Sequence, residues 1–222
     1  MKKYLVFLTA ALLQAGAWAV TYTYTGSTYA PATVNNNTTC TTGTCGAFTS
    51  AMSHSGSFTT VAPLPANLSN FYILPLITSF SFSDGLTQYN SADPETTSMG
   101  AWADTDASGN ILFISMNLIH WQASPHVIGT RFDAMYLANL TRKNSHCMGA
   151  VFPSTGYGDG CQQLGADTST SSVTSIPAGA WAVTDLPPVA STAIPTLSEW
   201  GLLLLASLML GAGWMAVGRR RM

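Results

Sequence analysis

Asp104-Thr105-Asp106-Ala107-Ser108-Gly109-Asn110-Ile111 is the stretch whose residue types and spacing come closest to a site for chemistry. Carboxylates at the first and third positions, a hydroxyl at the fifth, Gly at the sixth and an aliphatic at the eighth follow the opening of an EF-hand calcium loop. The twelfth position is Ser115, where that loop needs a bidentate Glu, and no amphipathic helix flanks it. The same text reads equally as strand, turn and strand, with Asp, Ser, Gly and Asn supplying the turn. Four cysteines form the second set. Cys40 and Cys45 bracket one Gly-containing loop, and Cys147 and Cys161 another. An even count favours disulfides wherever the compartment is oxidising, and the two local pairs are expected. Closing the longer loop contributes about 3 kcal/mol in the chain-entropy account. A zinc site using His146 is the competing reading, but neither pair has close zinc-ligand spacing.

Other chemistry finds less support. There is no G-x-S-x-G nucleophile turn and no H-E-x-x-H metal helix. His54, His120, His126 and His146 are spaced as no ligand set is, and His120 sits in an apolar strand as a core or edge residue. Folding could bring two aspartates together for glycoside hydrolysis. Trp102, Trp121 and Trp181 either stack on sugar from one sheet face or fill the core. No catalytic residue, cofactor-binding residue or metal ligand is assigned, and no cofactor is expected.

The elements that would position these residues read as strands. "VTYTYT" alternates Val20, Tyr22 and Tyr24 against threonines, the period of a half-buried strand. "MSHSGSFTT" is a second strand. "ITSFSFSDGLTQY" puts Phe80 and Phe82 on one face and predicts a tight hairpin at Asp84-Gly85, both central residues taking positive φ. "MGAWADTDASGNILFISMNLIHW" gives strand, turn and long strand. "GTRFDAMYLANL" alternates as one strand, and "GAWAVTD" supplies a last one around Trp181. "TSTSSVTS", residues 168–175, reads as a surface loop. Seven to nine short strands without an amphipathic helix predict an all-β fold, an antiparallel β-sandwich, with a closed β-barrel as the alternative.

Both ends of the chain differ from the middle. Lys2 and Lys3, an apolar run and Ala17-Trp18-Ala19 have the form of a secretory signal cut by signal peptidase after Ala19. At the other end, Gly201 to Gly218 is 18 residues without a charge. As a helix that run is about 27 Å long, close to the thickness of a bilayer core. Arg219, Arg220 and Arg221 follow, and such a cluster favours the cytoplasmic side. Between these ends, from Val20 to Ala193, three basic side chains face nine acidic ones, a formal charge of −6. No basic stripe exists for phosphate, so no nucleic-acid partner is expected. The expected organisation is a signal over 1–19, a β-rich exported domain over 20–187, a semi-extended spacer over 188–193 and a membrane-spanning tail over 194–222.

An anchor alone does not need the residues in front of the apolar run. Ile194-Pro195-Thr196-Leu197, two spacers and Trp200-Gly201, then the helix and the arginines, resemble the IPTL variant of the PEP-CTERM sorting signals of bacterial proteins. The resemblance implies recognition and cutting by an exosortase-type membrane protease. It implies a transient inner-membrane anchor with the C-terminus cytoplasmic, then release to the cell surface or beyond, with exopolysaccharide as a possible partner. It leaves three functions for the delivered domain: a non-catalytic surface or matrix protein, a carbohydrate- or ligand-binding module, and a secreted hydrolase. Sparse charge, Ser and Thr richness and the lack of a catalytic motif favour the first.

Overall fold

Val20, Tyr22 and Tyr24 are 0–2% exposed, while the threonines between them face outward. The alternation read from the sequence is therefore the inside–outside alternation of the first strand, β1 (Val20–Thr28). The computed structural model of the chain describes residues 19–40, 43–149, 160–161, 163–165 and 169–184. All of them lie in the first of the two units into which the chain divides, Met1–Leu186. The signal segment up to Trp18, the spacer 188–193 and the tail 194–222 lie outside the described residues.

After β1 come β2 (Val34–Asn35), β3 (Ser53–Thr60), β4 (Phe71–Tyr72), β5 (Ile77–Ser83), β6 (Gln88–Asn90) and β7 (Thr96–Thr105). Then follow β8 (Ile111–Trp121), β9 (Arg131–Tyr136), β10 (Leu140–Cys147), β11 (Leu164–Gly165), β12 (Ser171–Thr174) and β13 (Ala180–Thr184). They form two antiparallel sheets. The smaller has the order β13-β1-β3-β5-β6, and the larger β2-β12-β10-β9-β8-β7-β4, with β11 beside β10. Neither order returns to its start, so the closed-barrel alternative is wrong. The sheets share one core: Val20, Tyr22, Tyr24, Phe58, Phe82 and Tyr89 from the small sheet meet Ala101, Ile114, Met116, Leu118 and Met135 from the large one. Among the described residues no helix is long and apolar enough to cross a membrane.

Three readings of the sequence need correction. The segment "GTRFDAMYLANL" is not one strand: it ends at Tyr136, and Leu137–Asn139 turns the chain into β10, with Ala138 at φ 61°. Within β9, Phe132, Asp133, Ala134 and Met135 are all buried. A second core of Ile119, Trp121, Phe132, Ala134, Cys147 and Cys161 covers the outer face there, so neither face meets water between Phe132 and Met135. Part of "TSTSSVTS" is β12, not a loop. Ser171 and Val173 are fully buried between the partners β10 and β2. The hairpin after β5 is not a two-residue turn. Ser83 pairs with Gln88, so four residues, Asp84 to Thr87, make the loop, and of Asp84 and Gly85 only Gly85 has positive φ.

Both expected disulfides are present, Cys40–Cys45 and Cys147–Cys161, with Cα separations of 5.5 and 5.7 Å. Non-reducing peptide mapping of the exported protein is expected to recover these two links. A Cys45–Cys147 link or free thiols would contradict the arrangement.

Candidate functional site

Asp84 and Asp133, far apart in sequence, are brought together between the sheets, each fully buried. Asp84 opens the β5–β6 loop of the small sheet. Its Oδ1 accepts the Leu86 and Thr87 amides at 2.9 and 2.7 Å. Its Oδ2 accepts the Tyr89 hydroxyl at 3.1 Å and the Thr141 hydroxyl from β10. The Tyr29 hydroxyl donates to the Asp84 carbonyl at 2.7 Å. Burial pushes the Asp84 carboxyl up, while these hydrogen bonds pull it down. Burial beside Asp84 also raises the Tyr29 and Tyr89 phenols, so both stay protonated donors.

Asp133 lies on β9 and forms an ion pair with Lys143 of β10. Thr87 joins the two aspartates. Its hydroxyl donates to Asp133 Oδ2 at 2.8 Å and accepts from Lys143 Nζ at 3.1 Å. The other oxygen of Asp133 accepts from Gln122 Nε2 and from the Asn144 amide, each at 2.8 Å. Gln122 in turn accepts the Thr44 amide at 2.8 Å, tying the Cys40–Cys45 loop to the network. A glycosidase pair needs room for a sugar and a water between its carboxyls. Here every carboxylate oxygen already has protein donors, and neither side chain meets solvent. The cluster clamps the two sheets together.

The residues singled out from the sequence are dispersed. Asp106 Oδ1 accepts the Ser108 and Asn110 amides at 2.8 and 2.9 Å, and Oδ2 accepts Asn110 Nδ2 at 2.8 Å. The calcium-like stretch is thus the β7–β8 turn, with the carboxylate bonded to its own loop, and these bonds hold the Asp106 carboxyl below its usual range. Cys147 and Cys161 are bonded to each other, which removes the thiolates a zinc site would use. Among the described residues no group of three His, Cys, Asp or Glu could hold a metal. His120 is a half-buried residue of the interior strand β8, paired on both sides, 3.0 Å from the Thr96 hydroxyl and 3.4 Å from Asp93. His126 meets Glu95 at 2.7 Å and stacks on Trp121, and its hydrogen bond lowers the Glu95 carboxyl.

The tryptophans do not share a platform. Trp121 is core, against Phe132. Trp181 packs on Tyr24 and Phe58 at the inner side of the small sheet. Trp102 pairs with Tyr72 at 5.2 Å, and its indole lies over Gly100, where a Cβ would collide with the ring.

Sequence reasoning missed Asp84, Thr87, Asp133 and Lys143. The available signal was Asp133 itself, a carboxylate between Phe132 and Ala134 in an apolar strand, where an ionised group is seldom buried without a partner.

Fold and cluster together define a two-sheet antiparallel β-protein whose buried aspartates, Asp84 and Asp133, join its layers. The chain's address lies elsewhere: residues 192–221 match the family model of the IPTL-CTERM motif, a PEP-CTERM-like sorting signal, which implies processing by an exosortase-type membrane enzyme. No curated protein and no solved structure matches the chain.

Proposed function

We propose that this chain is an exported protein sorted by an exosortase-type enzyme, and that its β-domain serves without catalysis at the cell surface or in the extracellular matrix. The IPTL-CTERM match over residues 192–221 carries the reading. Two disulfides in the β-domain suit an oxidising compartment. The buried, fully hydrogen-bonded aspartates support a structural role for the pair Asp84 and Asp133. In this reading residues 1–19 are removed on export, 20–187 form the delivered domain, 188–193 space it from the membrane, and 194–222 hold it there until cutting. The arginines remain cytoplasmic.

The test separates a sorting signal from a plain anchor. Apolar length and a basic stop suffice for anchoring, and neither requires Pro195 or Trp200. In a host with the sorting enzyme, Pro195→Ala with Trp200→Ala is expected to insert normally but escape cutting, so the uncut form accumulates in the inner membrane. Wild type is expected to lose the tail. If wild type and double variant both keep Met222 and both stay in the inner membrane, the tail is an anchor only.

A further inference from the structure

Lys143 and Asp133 sit on neighbouring antiparallel strands, β10 and β9. The register shifts between Arg142 and Ser145, so Lys143 and Asn144 both oppose Asp133 across a bulge. Asn144 takes φ 63° there, a backbone state that Asn tolerates better than most residues. The bulge delivers two donors to one carboxylate, the Lys143 ammonium at Oδ2 and the Asn144 amide at Oδ1. The Lys143 side chain is 12% exposed and that of Asp133 is not exposed at all.

Keeping two full charges in such a place costs several kcal/mol of hydration per ion. Condensing the two groups to an amide removes both charges at once. An amine and a carboxyl are the reactants of that step, and Nζ touches an oxygen one bond from the carbon it would attack. From this geometry we propose that Lys143 Nζ and Asp133 Cγ join in an intramolecular isopeptide bond that covalently links β10 to β9.

The step balances without a co-reactant. The Nζ–Cγ bond forms, and the Cγ–Oδ2 bond breaks. Of the three protons on the ammonium, one stays on the new amide and two leave with Oδ2 as water. The Thr87 hydroxyl accepts from Nζ and donates to Oδ2, so it can relay the second proton. Thr87 is held in place by the hydrogen bond that its backbone N–H donates to Asp84 Oδ1. Negative charge develops on Oδ1, where Gln122 Nε2 and the Asn144 amide already point. Donors placed in advance at that position stabilise the tetrahedral intermediate. Intramolecular reactants held in well-oriented contact reach effective molarities of up to about 10⁵–10⁸ M. Once formed, the amide has no charge to keep dry, which draws the equilibrium away from the ion pair.

The test is proteolytic mapping of the full-length chain after denaturation and reduction. The peptide carrying Asp133 is expected to remain joined to the one carrying Lys143, with a mass lower than their sum by one water. Lys143→Arg is expected to free the Asp133 peptide. Asp133→Asn is expected to give the same branched product with loss of ammonia instead of water. Separate, unmodified peptides from the wild type would reduce the contact to an ion pair and overturn the proposal. A link that persists in Lys143→Arg would overturn it as well.

Discussion

Asp84→Ala is expected to lower the unfolding free energy by about 4 kcal/mol. The carboxylate is the common acceptor for two amides and two hydroxyls drawn from both sheets. Removing it leaves the Leu86 and Thr87 amides and the Tyr89 and Thr141 hydroxyls without that partner, in a place water does not reach. Each stranded buried donor costs about 1–3 kcal/mol, and the hydroxyls recover part by rotating. Asp84→Asn keeps one acceptor oxygen, so its loss is expected to be smaller. Urea unfolding of the three proteins checks the order, wild type above Asn above Ala, with an unchanged m value. An Ala variant as stable as the wild type would mean that the cluster does not clamp the sheets.

The second large effect is a loss of stability in acid, traced to His54. Its side chain is fully buried, both ring nitrogens lack a hydrogen-bond partner among the described residues, and the ring meets Tyr29 edge-on at 5.8 Å. Burial lowers its pKa from 6.5 to about 4. Below the unfolded value the unfolded chain takes up a proton that the folded chain refuses. The contribution is therefore whole above pH 6.5 and is lost as pH falls towards about 4. The full loss is about 3 kcal/mol. Asp84 acts with the opposite sign, because its raised carboxyl favours the folded state as pH falls. Comparing wild type with His54→Phe cancels that term. The Phe variant also removes two unpartnered polar atoms, so it is expected to match or exceed the wild type near neutral pH. Its advantage should widen by most of that 3 kcal/mol at about pH 4.5. Parallel pH dependences for the two proteins would clear His54 of any role.

How far the sequence discloses this structure depends on how each segment meets water. Val20–Tyr24 was legible because one face is dry and the other wet, so polarity alternates with the pleat. Arg131–Tyr136 was legible as a strand but not as one covered on both faces, so Asp133 signalled a buried partner without naming it. The break after it was hidden because the turn uses Ala138 at positive φ where Gly or Asn would have announced it. β12 was hidden by composition: Ser171 and Ser172 have the chemistry of a loop and take up ladder positions only because β10 and β2 flank them. Asp84 was legible as a turn residue, yet nothing local tells that its side chain faces inward to meet Tyr89 and Thr141. The tail was legible in full as a motif, because a sorting signal is read as linear text and does not depend on the fold in front of it.

The pairing of the first and last described strands has a mechanical meaning. β13 joins the small sheet at its edge, bonded to β1 from Thr21↔Thr184 to Thr25↔Ala180. The chain leaves this ladder at Thr184, the pair nearest the start of β1. Tension arriving from the C-terminal side therefore loads that pair before Ala182↔Thr23 and Ala180↔Thr25. Under a pull directed across the strands the ladder opens like a zipper, one rung at a time, instead of sharing the load in shear. Opened from that rung, β13 can yield under a pull while β1, still bonded along β3, keeps the rest of the small sheet closed.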